Sequence, residues 1–592
     1  MDWRYSDPSS LPGVDEAFEA FVASYPQYSD TSLVDQIREE GYYHLGRSQQ
    51  QVCLDYTGIG LFSFQQQQAM DSPSASLKLA FVFGNLATHA LYIQERTAES
   101  ILRKRVLSYM NLQPKDYCIV FTANTLCAFK LLAESYPFHL SAKLLLGYDH
   151  ECENVAWIKH SAKSKEAAVF DAAFVWPELK FDETEMKKML RQKNRWNRKD
   201  GDLAGGLFAY PIVSKITGAK QSFEWVSEAQ RNGWNVLLDI TGLGVKAMDS
   251  LGLSLHRPDF IIGSFYKVFG CDPTGFGCLI INRHILRQLG DSSRARAVGM
   301  VKLVSFNSSR PLASPPQGGV GRLLSITETP SPPREGPYEK LNAADWNENG
   351  NCRDEEACMT SSKTSDPFPV AVSALDPGFC NEHDSLLQEQ CSDFRVVDTV
   401  YCRGLDYAEK VGLTRIDIRQ WSLLYWLISS LRKLRHPPKG NRHLVMVYGS
   451  LSQNDRGSTL AFNLYDSSKT LLDPISVQKL ADRNNISLGI GTIQGLFRRE
   501  QSNEKPNRDY KRSSKLIVGS SSCVDIQSHI MGVKPELFQR KTVQVLCATL
   551  GFLSNFGDVY SLWAFLAKFL DPKFICQEHL QYQSLNQETV HL

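Results

Sequence analysis

At 592 residues the chain is long enough for a large core with a second lobe and too long for one small domain. Its formal charge is +1 with no block of basic residues, which argues against non-specific nucleic-acid binding. The 14 cysteines include no C-x-x-C pair, giving neither zinc-ligand spacing nor a disulfide framework, so reduced thiols are expected.

The first residues, Met1-Asp2-Trp3-Arg4-Tyr5-Ser6-Asp7-Pro8, are polar and acidic, unlike a secretory signal or an Arg-rich transit peptide, which predicts a cytoplasmic protein. Residues 1–80 are assigned to a smaller lobe. From there to about 295, helical patterns alternate with short apolar runs at 117–121, 143–147, 206–211, 235–238, 260–262 and 277–281. Such alternation predicts an α/β domain over 81–304, built on a mostly parallel sheet covered by helices. Between 305 and 395 the Pro-, Gly- and Ser-rich segments and their acidic continuation read as a low-complexity, disordered insertion. Residues 396–592 read as a small α+β lobe. There Trp421, Leu424, Leu427, Ile428, Leu431 and Leu434 recur at helical spacing, predicting a helix over 417–436 that Pro437 and Pro438 stop. Strand-like runs at 444–448 and 460–465 flank the polar turn Asn454-Asp455-Arg456-Gly457. The apolar tract 543–570 is broken by Ser554, Asn555, Asp558 and Lys568, too short a run for a membrane span, and reads as a buried helix pair.

Ligands gather at the carboxyl ends of the strands in an open α/β sheet, so the residues after each apolar run are the candidates. Lys267 lies just past 260–262 in Ser264-Phe265-Tyr266-Lys267, and Asp239 ends the run 235–238. An amine able to form a Schiff base and a carboxylate able to keep a ring nitrogen protonated suggest pyridoxal 5'-phosphate. Thr125, in Thr122-Ala123-Asn124-Thr125, offers a hydroxyl and helix-start amides to a phosphate, with a plain N-cap as the alternative. His150, after 143–147, offers a ring to stack on a flat cofactor, with a capping or buried histidine as the alternative. Taken singly, Asp239 also reads as a cap and Lys267 as a solvated surface lysine. Their shared placement at strand ends favours the joint reading.

Leu54-Asp55-Tyr56-Thr57-Gly58, Phe121-Thr122-Ala123-Asn124-Thr125, Asp149-His150, Leu238-Asp239, Ser264-Phe265-Tyr266-Lys267 and Pro273-Thr274-Gly275-Phe276-Gly277 carry a family resemblance. They resemble the signatures of fold type I, class V aminotransferase-like enzymes, and within these the cysteine-desulfurase-like part of molybdenum cofactor sulfurases, above all shorter plant relatives. The resemblance extends to Cys402-Arg403-Gly404-Leu405-Asp406, Asp473-Pro474 and Val477-Gln478-Lys479-Leu480. It implies the PLP-dependent transferase fold, Lys267 as Schiff-base lysine, Asp239 as partner of the pyridine nitrogen and His150 as the ring-stacking residue. Thr125, Ser264 and Tyr266 are implied phosphate ligands. A small amine or amino-acid substrate and a homodimer are also implied, without metal, nucleic-acid or membrane partners.

The chain also departs from that pattern. The desulfurase arginine and mobile cysteine should follow Ile486-Ser487-Leu488, where this chain has Gly489-Ile490-Gly491-Thr492-Ile493-Gln494-Gly495, read as a loop. Arg498, Arg499 and Cys523 are the candidate substitutes. Gly242 stands where many relatives place a glutamine facing the cofactor's phenolic oxygen. Gly318-Gly319-Val320-Gly321 is a poor match for the glycine-rich tract after the lysine loop, and the sulfurases' molybdopterin-binding carboxy-terminal domain is expected to be missing. Three functions are therefore carried forward. The first is a pyridoxal-phosphate protein acting on an amine through Lys267, the second a genuine cysteine desulfurase or molybdenum cofactor sulfurase, and the third a non-catalytic cofactor-binding scaffold.

Overall fold

Apolar runs covered on both faces become buried strands. In the computed structural model the strands, buried and exposed alike, are, in chain order, β1 (Val52–Cys53), β2 (Leu77–Gly84), β3 (Tyr117–Thr122), β4 (Lys143–Leu146), β5 (Ala168–Asp171), β6 (Ala173–Val175), β7 (Lys180–Phe181), β8 (Leu207–Pro211), β9 (Asn235–Asp239), β10 (Phe260–Ser264), β11 (Gly277–Asn282) and β12 (Ala297–Ser305). They continue with β13 (Arg435–His436), β14 (Arg442–His443), β15 (Val445–Tyr448), β16 (Thr459–Leu464), β17 (Ile486–Ser487), β18 (Gly489–Arg498) and β19 (Phe538–Thr549). The structure describes residues 4–42, 45, 51–56, 63–64, 77–91, 97–139, 143–191, 205–264, 277–286, 289, 297–305, 402–436, 442–498, 538–575 and 577–578. The expected insertion, from 306 onward, lies outside them. The chain divides into a compact unit of Met1–Leu323 with Thr399–Leu592, and a second unit, Leu324–Asp398, wholly outside the described residues.

Nine strands form one sheet in the order β2-β12-β3-β11-β10-β9-β8-β4-β5. Seven of them, β2, β3, β4, β5, β8, β9 and β10, run one way, while β11 and β12 run against them. The fold class is thus α/β on a mixed, predominantly co-directional sheet. Successive side chains of a strand point to opposite faces, and the two cores follow that period. Ile119, Phe121, Leu145, Phe208, Tyr210 and Leu238 pack on one face. Cys118, Val120, Leu144, Leu207, Ala209 and Leu237 pack on the other.

A second sheet, of six strands, has the order β15-β16-β19-β18-β6-β7, so β6 and β7 from within the expected 81–304 domain join strands of 396–592 in the same compact unit. Its core joins the helix Leu413–Lys433 to the helix Phe556–Ala567 through Leu424, Leu427, Leu431, Val559, Leu562 and Leu566. The predicted helix over 417–436 starts four residues earlier than expected, and Arg435 and His436 are already extended. The expected strands at 444–448 and 460–465 form as the antiparallel pair β15 and β16.

Two expectations are corrected. The tract 543–570 is not a helix pair, because its first part belongs to β19 and only the second is helical. The β-branched Thr542, Val543, Val545 and Thr549 favour extension. Of the polar residues that interrupt the tract, Asn555 and Asp558 start the helix, where Asn555 accepts from the Asp558 backbone and Asp558 accepts from the Asn555 backbone, both at 3.0 Å. Loss of that cap in Asn555→Ala should cost about 1 kcal/mol, read as a lower urea midpoint that Asn555→Ser restores. The second correction concerns 489–495, which is no loop. Its glycines sit in β18, paired residue for residue with β19 from Gly489↔Cys547 to Arg498↔Phe538. A Cβ at Gly491 would strike Ile216, so glycine there marks a close approach within a strand rather than a turn.

Among the described residues no helix is long and apolar enough to cross a membrane, and no group of His, Cys, Asp or Glu side chains could hold a metal ion.

Candidate functional site

Because β3, β4, β8, β9 and β10 are co-directional, their carboxyl ends share one edge of the large sheet. Asp239 ends β9, directly opposite Ile262 of β10 and Pro211 of β8. It is buried, and its Oδ1 accepts from the Thr241 amide at 2.9 Å and the Thr241 hydroxyl at 2.7 Å. The Tyr148 hydroxyl donates to Oδ2 at 3.3 Å. These three donors fix the carboxylate plane. Asp239 caps no helix, since the next one begins at Val245 with Gly244 as its N-cap.

Thr125 opens the helix Thr125–Ser135, whose N-cap Asn124 accepts from the Cys127 amide at 2.8 Å. The N-cap reading therefore belongs to Asn124, leaving Thr125 in the first turn. Gly277 faces Thr122 on one side and Ser264 on the other. A Cβ there would lie 2.7 Å from the Asn124 carbonyl carbon and 2.8 Å from the Thr125 nitrogen. Glycine at 277 is what lets this helix start sit beside the strand that leads to Ser264. Tyr266 and Lys267, two and three residues past Ser264, lie outside the described residues.

His150 follows β4 and is buried, with Nδ1 2.7 Å from Asp149 Oδ1. Asp149 is itself held by Ser214 Oγ at 2.8 Å and by the Thr217 hydroxyl. Nε2 has no well-aligned hydrogen-bond partner. Burial works to lower the imidazole pKa, yet hydrogen bonding to Asp149 and Cys152 and the charges of both outweigh it, and it is pushed up to about 9. The ring of Tyr148 stands edge-on at 5.9 Å. Backbone bonds from Glu151 to Thr492 and from Gln494 to Asp149, both 2.9 Å, lock this segment to β18.

That locking bears on the expected desulfurase residues. The stretch that should supply a mobile cysteine is instead a strand clamped on both sides. Arg498 lies five residues beyond Ile493, which bridges to His150, or about 17 Å along an extended chain. Its guanidinium pairs with Asp182 at 3.0 Å. Arg499 and Cys523 lie outside the described residues. Gly242 has a packing reason, since a Cβ there would strike the Val213 carbonyl, leaving no room for the relatives' glutamine.

Sequence reasoning passed over Tyr148, Ser214, Lys215, Thr217 and Cys152. Ser214-Lys215-Ile216-Thr217 follows the run 206–211 at the same sheet edge, so the strand-end rule was the signal available. Cys152 gives no such signal and emerges only from its neighbours.

No family model matches the chain. The chain is similar to molybdenum cofactor sulfurases. It is 28% identical over 233 residues to the Caenorhabditis elegans protein of that name, covering 39% of this chain and 31% of that protein. The Solanum lycopersicum protein is 28% identical over 294 residues (45% and 34%), and the Bos taurus protein 30% over 268 residues (40% and 27%). The match thus spans about a third or less of each relative's own length. Among solved structures, an apo cysteine desulfurase from Thermococcus onnurineus superposes with a TM-score of 0.49 at 14% identity, over 90% of this chain and 98% of that one. A cysteine desulfurase from Escherichia coli gives 0.47 at 14%, over 91% and 98%.

Proposed function

We propose that the chain binds pyridoxal 5'-phosphate as a protein of the class V aminotransferase, molybdenum cofactor sulfurase-like group and acts on an amino acid or related amine, as a homodimer. The observation that carries this reading is a single sheet edge holding the fixed carboxylate of Asp239, the imidazole of His150, and Ser264 beside a helix start kept close by Gly277. This set fits the cofactor group by group. Asp239 would hold the ring nitrogen, His150 the ring face, Ser264 and Tyr266 with the amides at Thr125 the phosphate, and Lys267 the aldehyde carbon. When bound, the cofactor supplies an electron sink for charge developing at the amine's α-carbon.

The chain's own groups have defined parts. With the cofactor bound, the carboxylate of Asp239 would keep a proton on the ring nitrogen, and Thr241 and Tyr148 keep that carboxylate from turning away. The Nζ of Lys267 would move the proton at the substrate α-carbon.

Absorbance of the purified protein between roughly 320 and 450 nm tests the reading, since a lysine-bound cofactor absorbs there. A band is expected that borohydride bleaches, that an amino-acid panel shifts, and that Lys267→Ala lacks. The same chromophore in Lys267→Ala would sink the assignment, while a band that no amine perturbs favours the non-catalytic scaffold.

A further inference from the structure

We propose that Asp149 and Arg456 are positioning residues of this site: Asp149 fixes the ring of His150, and Arg456, arriving from the second sheet, fixes the segment after β8 that holds Asp149. The inference rests on the cofactor reading above, in which His150 covers the ring face, and deepens it by naming what keeps that imidazole in place. Asp149 is buried and meets three groups. Its Oδ1 lies 2.7 Å from His150 Nδ1 and accepts from Ser214 Oγ at 2.8 Å, while Oδ2 accepts from the Thr217 hydroxyl. Each hydroxyl has a single hydrogen, and backbone amides settle where it goes. The Thr217 amide donates to Ser214 Oγ and the Ala219 amide to the Thr217 hydroxyl, both at 3.2 Å, so both hydrogens turn to the carboxylate. An ionised carboxylate only accepts, so Nδ1 of His150 carries a hydrogen and the ring cannot turn over without losing that bond.

Arg456 explains why the segment after β8 stays put. It is buried in the turn between β15 and β16, and its hydrogen bonds all go to backbone carbonyls: Ser450 at 2.6 Å, Thr459 at 3.0 Å, Thr217 at 3.2 Å and Tyr448. A buried guanidinium bonded to no carboxylate is costly, and burial pulls its pKa down to about 10. What the position uses is the fixed fork of donors, which ties carbonyls from two distant parts of the chain to one side chain. The adjoining backbone repeats the join, with the Gly457 amide donating to the Gly218 carbonyl at 2.7 Å and the Lys220 amide to the Asp455 carbonyl at 3.0 Å. Gly218 adopts a φ of +72°, and a Cβ there would lie 2.1 Å from the Thr459 carbonyl oxygen, so glycine is what lets the two segments close. Dependence therefore runs from Arg456 to Thr217, from Thr217 to Asp149 and from Asp149 to His150. The titratable groups around the ring are Asp149 and Cys152 on its own segment and Tyr148 edge-on to it. Lys215 after β8 and Asp239 at the end of β9 face Cys152, and Cys547 of β19 faces Asp149. Thr492, Ile493 and Gln494 of β18, which pack on the segment, do not titrate.

The test has two arms on the full chain. First, cofactor-free protein with 15N-labelled histidine rings is titrated by NMR, the His150 signals being those that vanish in His150→Gln. The wild type should titrate near 9, and Asp149→Asn, which keeps the shape and removes the charge, should bring His150 below the ordinary 6.5 because burial is then unopposed. Thr217→Val takes one donor from the carboxylate, and Arg456→Lys leaves at most three donors for four carbonyls. Each should give His150 a second set of signals from a second ring orientation, and Thr217→Ser should return a single set. An unchanged titration in Asp149→Asn overturns the role of Asp149, and a single His150 set in Arg456→Lys overturns that of Arg456. Second, apo protein is titrated with pyridoxal 5'-phosphate. Thr217→Val should bind it about tenfold more weakly, the loss of roughly one hydrogen bond, and Thr217→Ser as tightly as the wild type. Equal affinities in Thr217→Val and the wild type overturn the proposal, since a loosened ring would then cost nothing. A wild type that takes up no cofactor overturns the cofactor reading alone, and the first arm still decides what holds His150.

Discussion

Asp239→Asn should weaken binding of pyridoxal 5'-phosphate by roughly 30-fold to several thousand-fold, the equivalent of about 2–5 kcal/mol for removing one member of a buried, hydrogen-bonded charge pair. The substitution isolates charge from shape. An asparagine can still accept from the Thr241 amide and hydroxyl through its own oxygen, so the turn after β9 survives. What disappears is the negative charge that favours a protonated ring nitrogen. Titrating apo protein with the cofactor while following absorbance gives both affinities. A dissociation constant within twofold of the wild type would refute the role given to Asp239. Unchanged unfolding by urea would show that any loss is local.

The second large effect concerns a buried ion pair. Arg38→Ala should destabilise the protein by about 3–5 kcal/mol, because it leaves a buried carboxylate without its partner. Arg38 is buried in the helix Leu33–Gly41 and meets Asp558 through two hydrogen bonds, at 2.6 and 2.9 Å. It also donates to the carbonyls of Leu45 and Leu553. Asp558 belongs to the capping box that starts the helix Phe556–Ala567, so this ion pair ties the amino-terminal segment to the carboxy-terminal lobe. Denaturant unfolding of Arg38→Ala, and of Arg38→Met combined with Asp558→Asn, separates the cost of an unpaired charge from lost packing. The double variant should recover part of the loss. A single-variant cost under about 1 kcal/mol would mean that water reaches Asp558.

The strands of the large sheet were legible because most are buried on both faces, and burial on both faces leaves an uninterrupted apolar run in the sequence. The runs at 117–121, 235–238 and 277–281 correspond to β3, β9 and β11 with shifts of a residue at their ends. β18 was not legible. Glycine is a turn signal in isolation, and what makes Gly491 a strand residue is Ile216, which arrives from another part of the chain. The tract 543–570 failed for a related reason. Hydrophobicity without clear periodicity does not separate a strand from a helix, and the Asn555 capping box was read as an interruption rather than a boundary.

The site divides along the same line. Asp239, His150, Ser264 and Thr125 follow apolar runs directly, and the rule that ligands meet the carboxyl ends of co-directional strands makes them candidates without any coordinates. Their chemistry was thus written in local order. Whether they meet depends on the strand order β3-β11-β10-β9-β8-β4, which short-range patterns do not encode. The same holds for the clamp of Glu151 and Asp149 on β18, and for Cys152, whose acidity arises from a histidine two residues away and a lysine on a different strand connection. By itself the sequence determined which side chains stand at strand ends, because that is a matter of local burial and turn chemistry. Only the tertiary structure decided which of them share an edge, because proximity comes from segments far apart in the chain.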